Sequence, residues 1–335
     1  RKLSGFPLIE SSASCNGREV AIYDKTLADP TIEQTDMAAL FALEFGAQAV
    51  VGIGGGSPLD TSKVVAARLT NAVPVGKLIG VDQVALPIAP LAVFPTTAGT
   101  GSEVTNVSIL TDPEAGIKKA VVSNRIVPGL AGLLAELTLD LPSHITAATG
   151  MDALCHASEA FISRRQNAYS DAMALAALPL IAQNLPLVMR NPHNLESRQQ
   201  MLQASLLAGL AFNNSSVTAI HAFAYPLGGR FHVAHGLANS LMFGAIMRHN
   251  QVVAQKRFAL LARVFDGGSD FIASVEALRA TLPLPQNLCE AGIPADALEG
   301  MANDVMSVTR LLSVNPREIT RVDAGRIYRE AFATP

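Results

Sequence analysis

Short runs of β-branched and apolar residues alternate with segments of helical periodicity over the first 140 or so residues of the chain. This alternation is typical of a parallel sheet that is covered by helices. It predicts helices at 37–45 and 59–69 and strands at 18–23, 47–53, 91–94 and 119–122. The second and third of these strands run directly into loops that are rich in glycine, or in small and hydroxyl residues. The carboxyl ends of these strands are therefore the first candidate site.

From about residue 143 onward, the apolar positions recur with the 3.6-residue period of a helix. Alanine- and leucine-rich segments at 172–181 and 201–212 predict long helices, and helices are expected to begin or end near Pro142, Pro186, Pro192 and Pro226. The chain is therefore predicted to combine an α/β domain, residues 1–140, with an all-α domain, residues 141–335. A chain of 335 residues is long enough for two cores with a cleft between them.

The composition of the chain indicates which kinds of molecule it can bind. A hydrophobic fraction of 49% and a charged fraction of 16% describe a globular protein with a large core. The net charge of −3 provides no basic surface for nucleic acid or for anionic lipid. Neither a run of about 18 apolar residues nor a signal-like start is present in the sequence. We therefore expect a cytoplasmic protein that acts on a small molecule and has no membrane partner.

The three cysteines, Cys15, Cys155 and Cys289, are widely spaced and form no Cys-x-x-Cys pair. Neither a disulfide framework nor a thiolate metal site is indicated, and reduced, buried thiols are expected. The chemistry of a site must therefore come from other residues.

Two loops suggest a bound nucleotide. The segment Gly-Ile-Gly-Gly-Gly-Ser-Pro-Leu-Asp, residues 52–60, follows a predicted strand and opens a predicted helix, where glycines and free N–H groups can accommodate phosphate. A second loop, residues 95–103, follows the next buried strand. Ligands of open parallel sheets lie outside the carboxyl ends of the strands, so the two loops together predict a dinucleotide cleft. A tight turn without a ligand is the alternative for either loop alone.

Asp152 and His156 lie four residues apart in a predicted helix and share one face of it. Three of the seven histidines, His221, His232 and His235, fall within 15 residues. Several ionisable groups among alanines and leucines are costly to bury unless they share a cation. One carboxylate and three imidazoles suit Fe²⁺ or Zn²⁺, with positions left open for water or a substrate oxygen. Hydrogen-bonded structural histidines are the alternative.

These motifs resemble the iron-containing, or group III, alcohol dehydrogenase family. The resemblance is carried by segments that begin at Gly54, Pro95, Gly150 and His221 and by Asn315-Pro316-Arg317, and it extends from about Asp24 to the C-terminus. It implies a dehydroquinate synthase-like fold, in which an α/β dinucleotide-binding domain with a parallel sheet precedes an all-α metal-binding domain. It also implies a homodimer or a larger homo-oligomer.

The resemblance assigns roles to individual residues. It implies that Asp152, His156, His221 and His235 bind the metal, the last two being 14 residues apart as in the family pattern. The implied metal is Fe²⁺, with Zn²⁺ as the alternative, and the implied cofactor is NAD, with NADP not distinguished from it. The residues implied at the nucleotide are Gly55, Gly56, Ser57, Asp60, Thr96, Thr97, Thr100 and Lys119.

Two features depart from the family pattern. Many relatives have a histidine four residues after the third ligand, whereas this chain has Tyr225, which still shares the helical face of His221. Tyr225 and His232 are the candidate catalytic residues for proton transfer, with a cleft-wall role for Tyr225 as the alternative. The chain also starts at Arg1, so the family's first strands and the ribose-contacting position that selects NAD or NADP are expected upstream of it.

The implied function is that of a metal-dependent oxidoreductase, which transfers hydride between a nicotinamide cofactor and a small alcohol or aldehyde, or a hydroxyacid or oxoacid. One alternative is hydroxyacid-oxoacid transhydrogenase activity, because a tyrosine at position 225 resembles that branch of the family. The other is maleylacetate reductase-like activity. A dehydroquinate synthase-type lyase would need several cations at the metal, where the nearby segments offer mainly Arg164, Arg165 and Arg230. A non-catalytic nucleotide-binding or assembly protein is a further alternative, and the intact ligand set argues against it.

Overall fold

The computed structural model of the protein describes residues 17–114 and 117–333. Within these ranges every strand lies before residue 132, and most helices follow residue 142. The parallel sheet and the helical second part confirm the predicted fold class. The strands are β1 (Val50–Gly54), β2 (Gly80–Val81), β3 (Leu91–Pro95), β4 (Val107–Asp112), β5 (Ile117–Val122) and β6 (Leu130–Ala131).

Two helices accompany the strands, and the remaining ones form the second part of the chain. The first two are α1 (Ile32–Phe45) and α2 (Gly56–Arg68). Thr31 begins α1 with a capping box to Gln34, and Gly46 ends it with φ 73°, which favours glycine. The later helices are α3 (Ser143–Ile162), α4 (Ala168–Arg190), α5 (Leu195–Ser215), α6 (Ala219–Phe231), α7 (His235–Phe265), α8 (Phe271–Ala280), α9 (Ala297–Asp304), α10 (Thr309–Leu312) and α11 (Arg321–Ala333).

The strands form two small sheets. β1, β3 and β6 are parallel to one another in the order β1-β3-β6. β2 pairs in parallel with β5, which forms an antiparallel pair with β4. In the first sheet Gly54 lies beside Pro95, so the last residues of β1 and β3 are level. The two loops that the sequence singled out therefore leave the sheet side by side, at its carboxyl edge.

The predicted strand at 18–23 is wrong, because these residues pair with no described strand. They line one side of a groove of about 900 Å³, and β1 lines the other side. β1 has β3 as its single neighbour among the described strands, and the side chain of Val51 is exposed towards solvent. An apolar run becomes a strand only where a neighbour accepts its backbone hydrogen bonds, and here none is adjacent.

Two of the four prolines do not mark helix ends, so that part of the prediction is also wrong. Pro142 caps α3 and Pro192 follows the end of α4, as predicted. Pro186, however, lies inside α4, and Pro226 lies inside α6. A proline removes one backbone hydrogen bond from a helix, and the packing of these helices against their neighbours outweighs that loss.

The cysteines differ in environment. Cys155 is free and buried, as expected, whereas Cys289 is free but exposed, so the prediction of a buried thiol is wrong there. Cys15 lies outside the described residues. Cys289 follows the buried Leu288 just before the turn at Gly292, where its side chain faces solvent.

The helical part is built around α3, which packs against α4, α5 and α7. Almost every residue of α3 from Thr146 to Ile162 is buried. Among the described helices, α4 is the one long and apolar enough to cross a membrane by length and composition alone. It packs against α3 and α5.

The loop after β3 contacts the helical part through two glycines. Gly101 has φ 61°, and a Cβ there would lie 2.6 Å from the Cα of Gly209 in α5. Both the backbone conformation and the close approach of two main chains therefore require glycine. This contact fixes the loop relative to the helices that carry the candidate metal ligands.

Gly101→Ala is expected to lower the free energy of unfolding by about 2–4 kcal/mol, because the added methyl group meets backbone rather than a movable side chain. Urea unfolding at neutral pH measures the change. Gly229→Ala in α6 is the control, since a Cβ there meets nothing within 4 Å. The control should be neutral or stabilising by about 0.5–1 kcal/mol. Equal stabilities for the two variants would contradict the tight contact.

Candidate metal centre and nucleotide cleft

Three helices bring the four predicted ligands together. Asp152 and His156 lie on α3, His221 on α6, and His235 is the first residue of α7. One ligand atom from each lies within 4.8 Å of all the others. The Oδ1 atom of Asp152 is 3.9 Å from the Nε2 atoms of His156 and His221, and 3.8 Å from that of His235.

A glycine beside His235 allows the helices to come this close. A Cβ on Gly236, the residue after His235, would collide with the main-chain carbonyl of Ala148 in α3. The first turn of α7 can therefore lie against α3 only because residue 236 is glycine. The three histidine rings also pack on one another, with centroid distances of 4.6 Å for His156 and His221 and 5.2 Å for His221 and His235.

The outer ring nitrogens determine which tautomer each buried histidine adopts. Nδ1 of His156 lies 3.1 Å from the carbonyl oxygen of Gly99, and Nδ1 of His221 lies 2.5 Å from a carboxylate oxygen of Glu159. Both partners accept hydrogen bonds, so the proton of each ring is on Nδ1 and the lone pair of Nε2 faces Asp152. This is the tautomer that a metal ligand requires.

Burial also disfavours the charged form of two of the rings, those of His156 and His235. Burial and the neighbouring His221 hold the pKa of His156 well below its usual range. Burial likewise lowers the pKa of His235, against the attraction of Asp152. Its side chain is nevertheless 40% exposed, whereas those of Asp152, His156 and His221 are at most 6% exposed. The cluster is therefore closed on three sides and open at His235.

Glu159 belongs to this centre, although sequence reasoning assigned it no role. Its side chain is fully buried, and its second oxygen accepts hydrogen bonds from the Thr218 hydroxyl at 2.7 Å and the Ile220 amide at 2.6 Å. The carboxylate thus holds the start of α6 as well as the His221 ring. The available signal was its position seven residues, or two helical turns, after Asp152, which places it on the same face of α3.

The donor set fits one divalent cation. Two atoms that are each about 2.1 Å from a single ion lie at most about 4.2 Å apart, and the three Asp152-to-histidine distances satisfy that limit. The site combines the buried Asp152 carboxylate with three imidazoles, and no lysine or arginine among the described residues forms an ion pair with Asp152. A shared metal ion would supply the missing positive charge.

The glycine-rich turn contacts the loop after β3. A Cβ on Gly55 would lie 3.2 Å from the methyl carbon of Thr97, and one on Gly56 would lie 2.9 Å from that of Thr100. Gly55 is the N-cap of α2 and provides no side chain of its own to satisfy the first N–H groups. The two predicted loops therefore form one wall, and the N-terminus of α2 opens beside it.

The other residues predicted at the nucleotide differ in how far protein contacts already engage their polar groups. The backbone amide of Thr96 donates to Gly54, and the hydroxyl of Thr97 is buried without a hydrogen-bond partner among the described residues. The Ser57 hydroxyl accepts from the Asp29 amide at 3.2 Å. In contrast, Asp60 accepts from the Ser102 hydroxyl at 2.6 Å and from the Ile109 amide at 2.8 Å. Both carboxylate oxygens of Asp60 are thus engaged in holding α2, the loop and β4 together.

Two adjacent lysines of β5 point to opposite faces of the strand. Lys119, the residue predicted at the nucleotide, pairs with Asp112 at 2.6 Å. Lys118 pairs with Asp29 at 2.5 Å. Burial raises the pKa of Asp60, and the charge of Lys118 opposes this rise. The amide of Asp29, the partner of Lys118, donates to the Ser57 hydroxyl. Lys118 therefore lies beside the glycine-rich turn, a position that sequence reasoning missed.

Two family models match the chain. The model for the iron-containing alcohol dehydrogenase matches residues 5–133, and the model for the C-terminal part of the Fe-containing alcohol dehydrogenase family matches residues 146–332. The chain belongs to the iron-containing alcohol dehydrogenase family. It is therefore an enzyme, a metal-dependent oxidoreductase that acts on an alcohol or an aldehyde.

Individual relatives agree with this assignment. The long-chain-alcohol dehydrogenase 1 of Geobacillus thermodenitrificans is 36% identical over 95% of this chain and 83% of its own length. Among solved structures, a 1,3-propanediol oxidoreductase superposes with a TM-score of 0.94 at 33% identity, over 99% of this chain and 89% of that one. A sulfoacetaldehyde reductase from Bifidobacterium kashiwanohense, solved with NAD⁺, gives 0.91 at 30% identity, over 99% and 88% of the two chains.

In this member of the family, Tyr225 lies one turn after His221, on the same side of α6. Burial raises the pKa of its phenol, and the guanidinium of Arg310, within hydrogen-bonding range, opposes this rise. The phenol is therefore protonated at neutral pH and can donate a hydrogen bond. His232 is exposed and ends α6 with φ 54°, and its ring forms no hydrogen bond with a described residue.

Two buried ionisable side chains, Lys63 and Glu103, lie in the strand-bearing part of the chain. The ammonium of Lys63 is fully buried and donates to the Thr105 hydroxyl at 3.0 Å and to the Val107 carbonyl at 2.9 Å. Glu103, only 2% exposed, has no hydrogen-bond partner for either oxygen among the described residues. Burial raises the pKa of Glu103 to about 7, against the attraction of Lys63. Burial also lowers the pKa of Lys63 to about 8.

The Glu103 carboxyl should make stability depend on pH. Its pKa is higher in the folded protein than the usual 4.5, so its contribution is complete below pH 4.5 and is lost as pH rises through about 7. Between pH 5.5 and 8, the wild type should lose about 2 kcal/mol more unfolding free energy than Glu103→Gln. Urea unfolding at both pH values measures this difference.

The control for this prediction is Glu44→Gln, which alters an exposed glutamate on α1. Its effect should be the same at pH 5.5 and pH 8. If Glu103→Gln behaved like the control, the carboxyl would not be protonated in the folded protein.

Proposed function

We propose that Asp152, His156, His221 and His235 hold one divalent metal ion, Fe²⁺ or Zn²⁺, beside a bound nicotinamide dinucleotide. The proposal is carried by the convergence of four ligand atoms within 4.8 Å around a buried carboxylate, with which no described lysine or arginine pairs. When bound, the metal acts as a Lewis acid on the substrate oxygen and the nicotinamide exchanges the hydride. The open side at His235 gives a substrate access to the centre.

The nucleotide site is proposed along the wall formed by the two loops. The N–H groups of Gly55 and Gly56 at the start of α2 suit a pyrophosphate. Ser57, Thr96, Thr97 and Thr100 provide hydroxyls on the same wall. Both lysines and Asp60 have protein partners, which are Asp29 for Lys118, Asp112 for Lys119 and Ser102 for Asp60. NAD is favoured as the cofactor, because a relative with 30% identity was solved with NAD⁺.

Side chains and backbone groups of this chain control two kinds of proton, those on the histidine rings and that of the substrate. Gly99 and Glu159 keep the protons of His156 and His221 on Nδ1, so that Nε2 stays available for the metal. Tyr225 is the better-placed of the two candidates for transferring the substrate proton, since it shares the face of His221. It also lies beside Arg310, which stabilises a phenolate. His232 is exposed, and its ring forms no hydrogen bond with a described residue.

A small uncharged alcohol or aldehyde is the proposed substrate, in keeping with the name of the 1,3-propanediol oxidoreductase that this chain resembles. Arg310 favours a second candidate, a hydroxyacid or oxoacid as in a hydroxyacid-oxoacid transhydrogenase. Its side chain is exposed beside Tyr225 and forms no ion pair with a described residue, so it can receive a carboxylate. A lyase gains no support, because Arg230 pairs with Asp304 and Arg164 donates to the Pro316 carbonyl.

The direct test is metal analysis combined with turnover of NADH and NADPH on short aldehydes and 2-oxoacids. Stoichiometric metal without any nicotinamide-linked turnover would favour a non-catalytic protein. A homodimer or larger assembly and a cytoplasmic location stay predictions.

His235→Ala should reduce bound metal at least about tenfold and abolish alcohol oxidation, because it removes one of four ligands at the open side of the centre. Metal content is measured by mass spectrometry and oxidation by the absorbance of NADH. His232→Ala, three residues away and exposed, should retain its metal. Retention of both metal and oxidation by His235→Ala would refute the ligand assignment.

Glu159→Gln should weaken zinc binding about 10–100-fold, since the neutral amide no longer supports the Nδ1 proton of His221 with a charge. Competition with a chromophoric chelator measures the dissociation constant. The control is Glu299→Gln, which alters an exposed carboxylate that pairs with Arg321 and Arg329 at the surface. An unchanged zinc affinity for Glu159→Gln would show that the contact is structural alone.

A further inference from the structure

One more side chain reaches the centre of the ligand cluster. Asn239 lies on α7, four residues after His235, and is fully buried. Its amide nitrogen Nδ2 donates to Asp152 Oδ1 at 2.7 Å. The same nitrogen lies 3.1 Å from Nε2 of His221 and 3.2 Å from Nε2 of His235. Three of the four proposed ligand atoms thus surround one amide nitrogen.

The two ends of this carboxamide are unequally satisfied. The nitrogen carries two hydrogens and faces three atoms that offer lone pairs. The oxygen Oδ1 is buried and has no hydrogen-bond partner among the described residues. The amide therefore places its positive end among the ligands, as a cation would be placed, and leaves its negative end without a partner.

A bound cation would reverse the electrostatic preference of the amide. The lone pairs of Asp152, His221 and His235 would point to the cation, and the N–H groups of Asn239 would face a positive charge. A half-turn about the Cβ–Cγ bond exchanges nitrogen and oxygen with almost no change in shape. That turn brings the oxygen, which attracts cations, to the ligand cluster.

We propose that Asn239 is a positioning residue of the metal centre, which holds Asp152, His221 and His235 together before the cation binds and then turns its oxygen towards the cation. The proposal rests on the metal site proposed above. The Asp152 carboxyl and the rings of His221 and His235 all lie within 3.2 Å of the Asn239 amide nitrogen, as this role requires. The proposal assigns Asn239 no direct part in hydride or proton transfer.

Two variants separate the two halves of the proposal. Asn239→Leu keeps the shape of the side chain but has neither a donor nor an oxygen. Asn239→Asp has an oxygen for the cation but cannot donate to Asp152. The control is Ser240→Ala, which changes the next residue of α7, also buried, whose hydroxyl has no partner among the described residues. The readouts are Tm of the metal-free protein and the dissociation constant for Zn²⁺, by competition with a chelator.

Both Asn239 variants should lower Tm of the metal-free protein by at least about 2 °C, because Asp152 loses its donor. The Ser240→Ala control should leave it unchanged. Zinc binding should weaken about 10–100-fold in Asn239→Leu. It should be within about tenfold of the wild type, or tighter, in Asn239→Asp, because a carboxylate oxygen then faces the cation.

Each of the following outcomes would contradict one part of the proposal for Asn239. Asn239→Leu with the Tm and zinc affinity of the control would show that the side chain only fills space. Asn239→Asp binding zinc as weakly as Asn239→Leu would show that the amide does not turn. If Asn239→Leu fails to fold without metal, the zinc affinity of Asn239→Asp still tests the turn. A wild type that binds no zinc or iron would refute the metal site itself, whereas the Tm comparison would still test the holding role.

Discussion

The structure depends on one electrostatic constraint, the burial of the Asp152 carboxylate among three imidazole rings that present lone pairs to it. A carboxylate that is 2% exposed needs a positive partner, and no lysine or arginine of the described chain forms an ion pair with it. The groups around Asp152 do not provide this positive partner. Gly99 and Glu159 keep the protons of two rings on the far side, so the rings cannot relieve the charge by donating to Asp152. A shared cation is the arrangement that satisfies all four residues together.

The loop after β3 connects this centre to the nucleotide wall. Gly99 accepts a hydrogen bond from His156, Thr97 and Thr100 pack against the glycine-rich turn, and Gly101 contacts α5 through Gly209. One loop of nine residues therefore touches a proposed metal ligand, the start of α2 and the helical core. Because these contacts share a short segment, a shift of the loop would move the nucleotide wall and a ring of the metal centre at the same time. This coupling follows from the level ends of β1 and β3 in the parallel sheet.

The sequence predicted the parts of the site that depend on local geometry. The i, i+4 spacing of Asp152 and His156 and the two glycine-rich loops are such features, and the four ligand side chains do converge. What it missed depends on which face of an element points inward. Lys118 and Lys119 are adjacent, and only the strand orientation shows that Lys118 is the one that pairs with Asp29 beside the glycine-rich turn. Glu159 has its role because α6 begins beside it.

The errors in the fold have the same origin in tertiary context. Residues 18–23 have the composition of a strand but no described neighbour to pair with, and Pro186 and Pro226 lie within helices that packing maintains. The hairpin of β4 and β5 was predicted only in its second half, at 119–122. Its antiparallel pairing depends on a turn at Pro113 and Glu114, whereas the preceding strands indicated a parallel sheet.

The cost of burying a carboxylate is offset in different ways at Glu103 and at Asp152. Glu103 has no hydrogen-bond partner among the described residues, and burial raises its pKa to about 7, so a proton neutralises it over much of the physiological range. Asp152 is equally buried, but an amide and three rings converge on it. A proton on Asp152 would satisfy one lone pair and leave those of the rings unused, whereas a metal ion uses all of them. The number of convergent lone pairs, rather than burial alone, distinguishes a metal centre from a protonated acid in this fold.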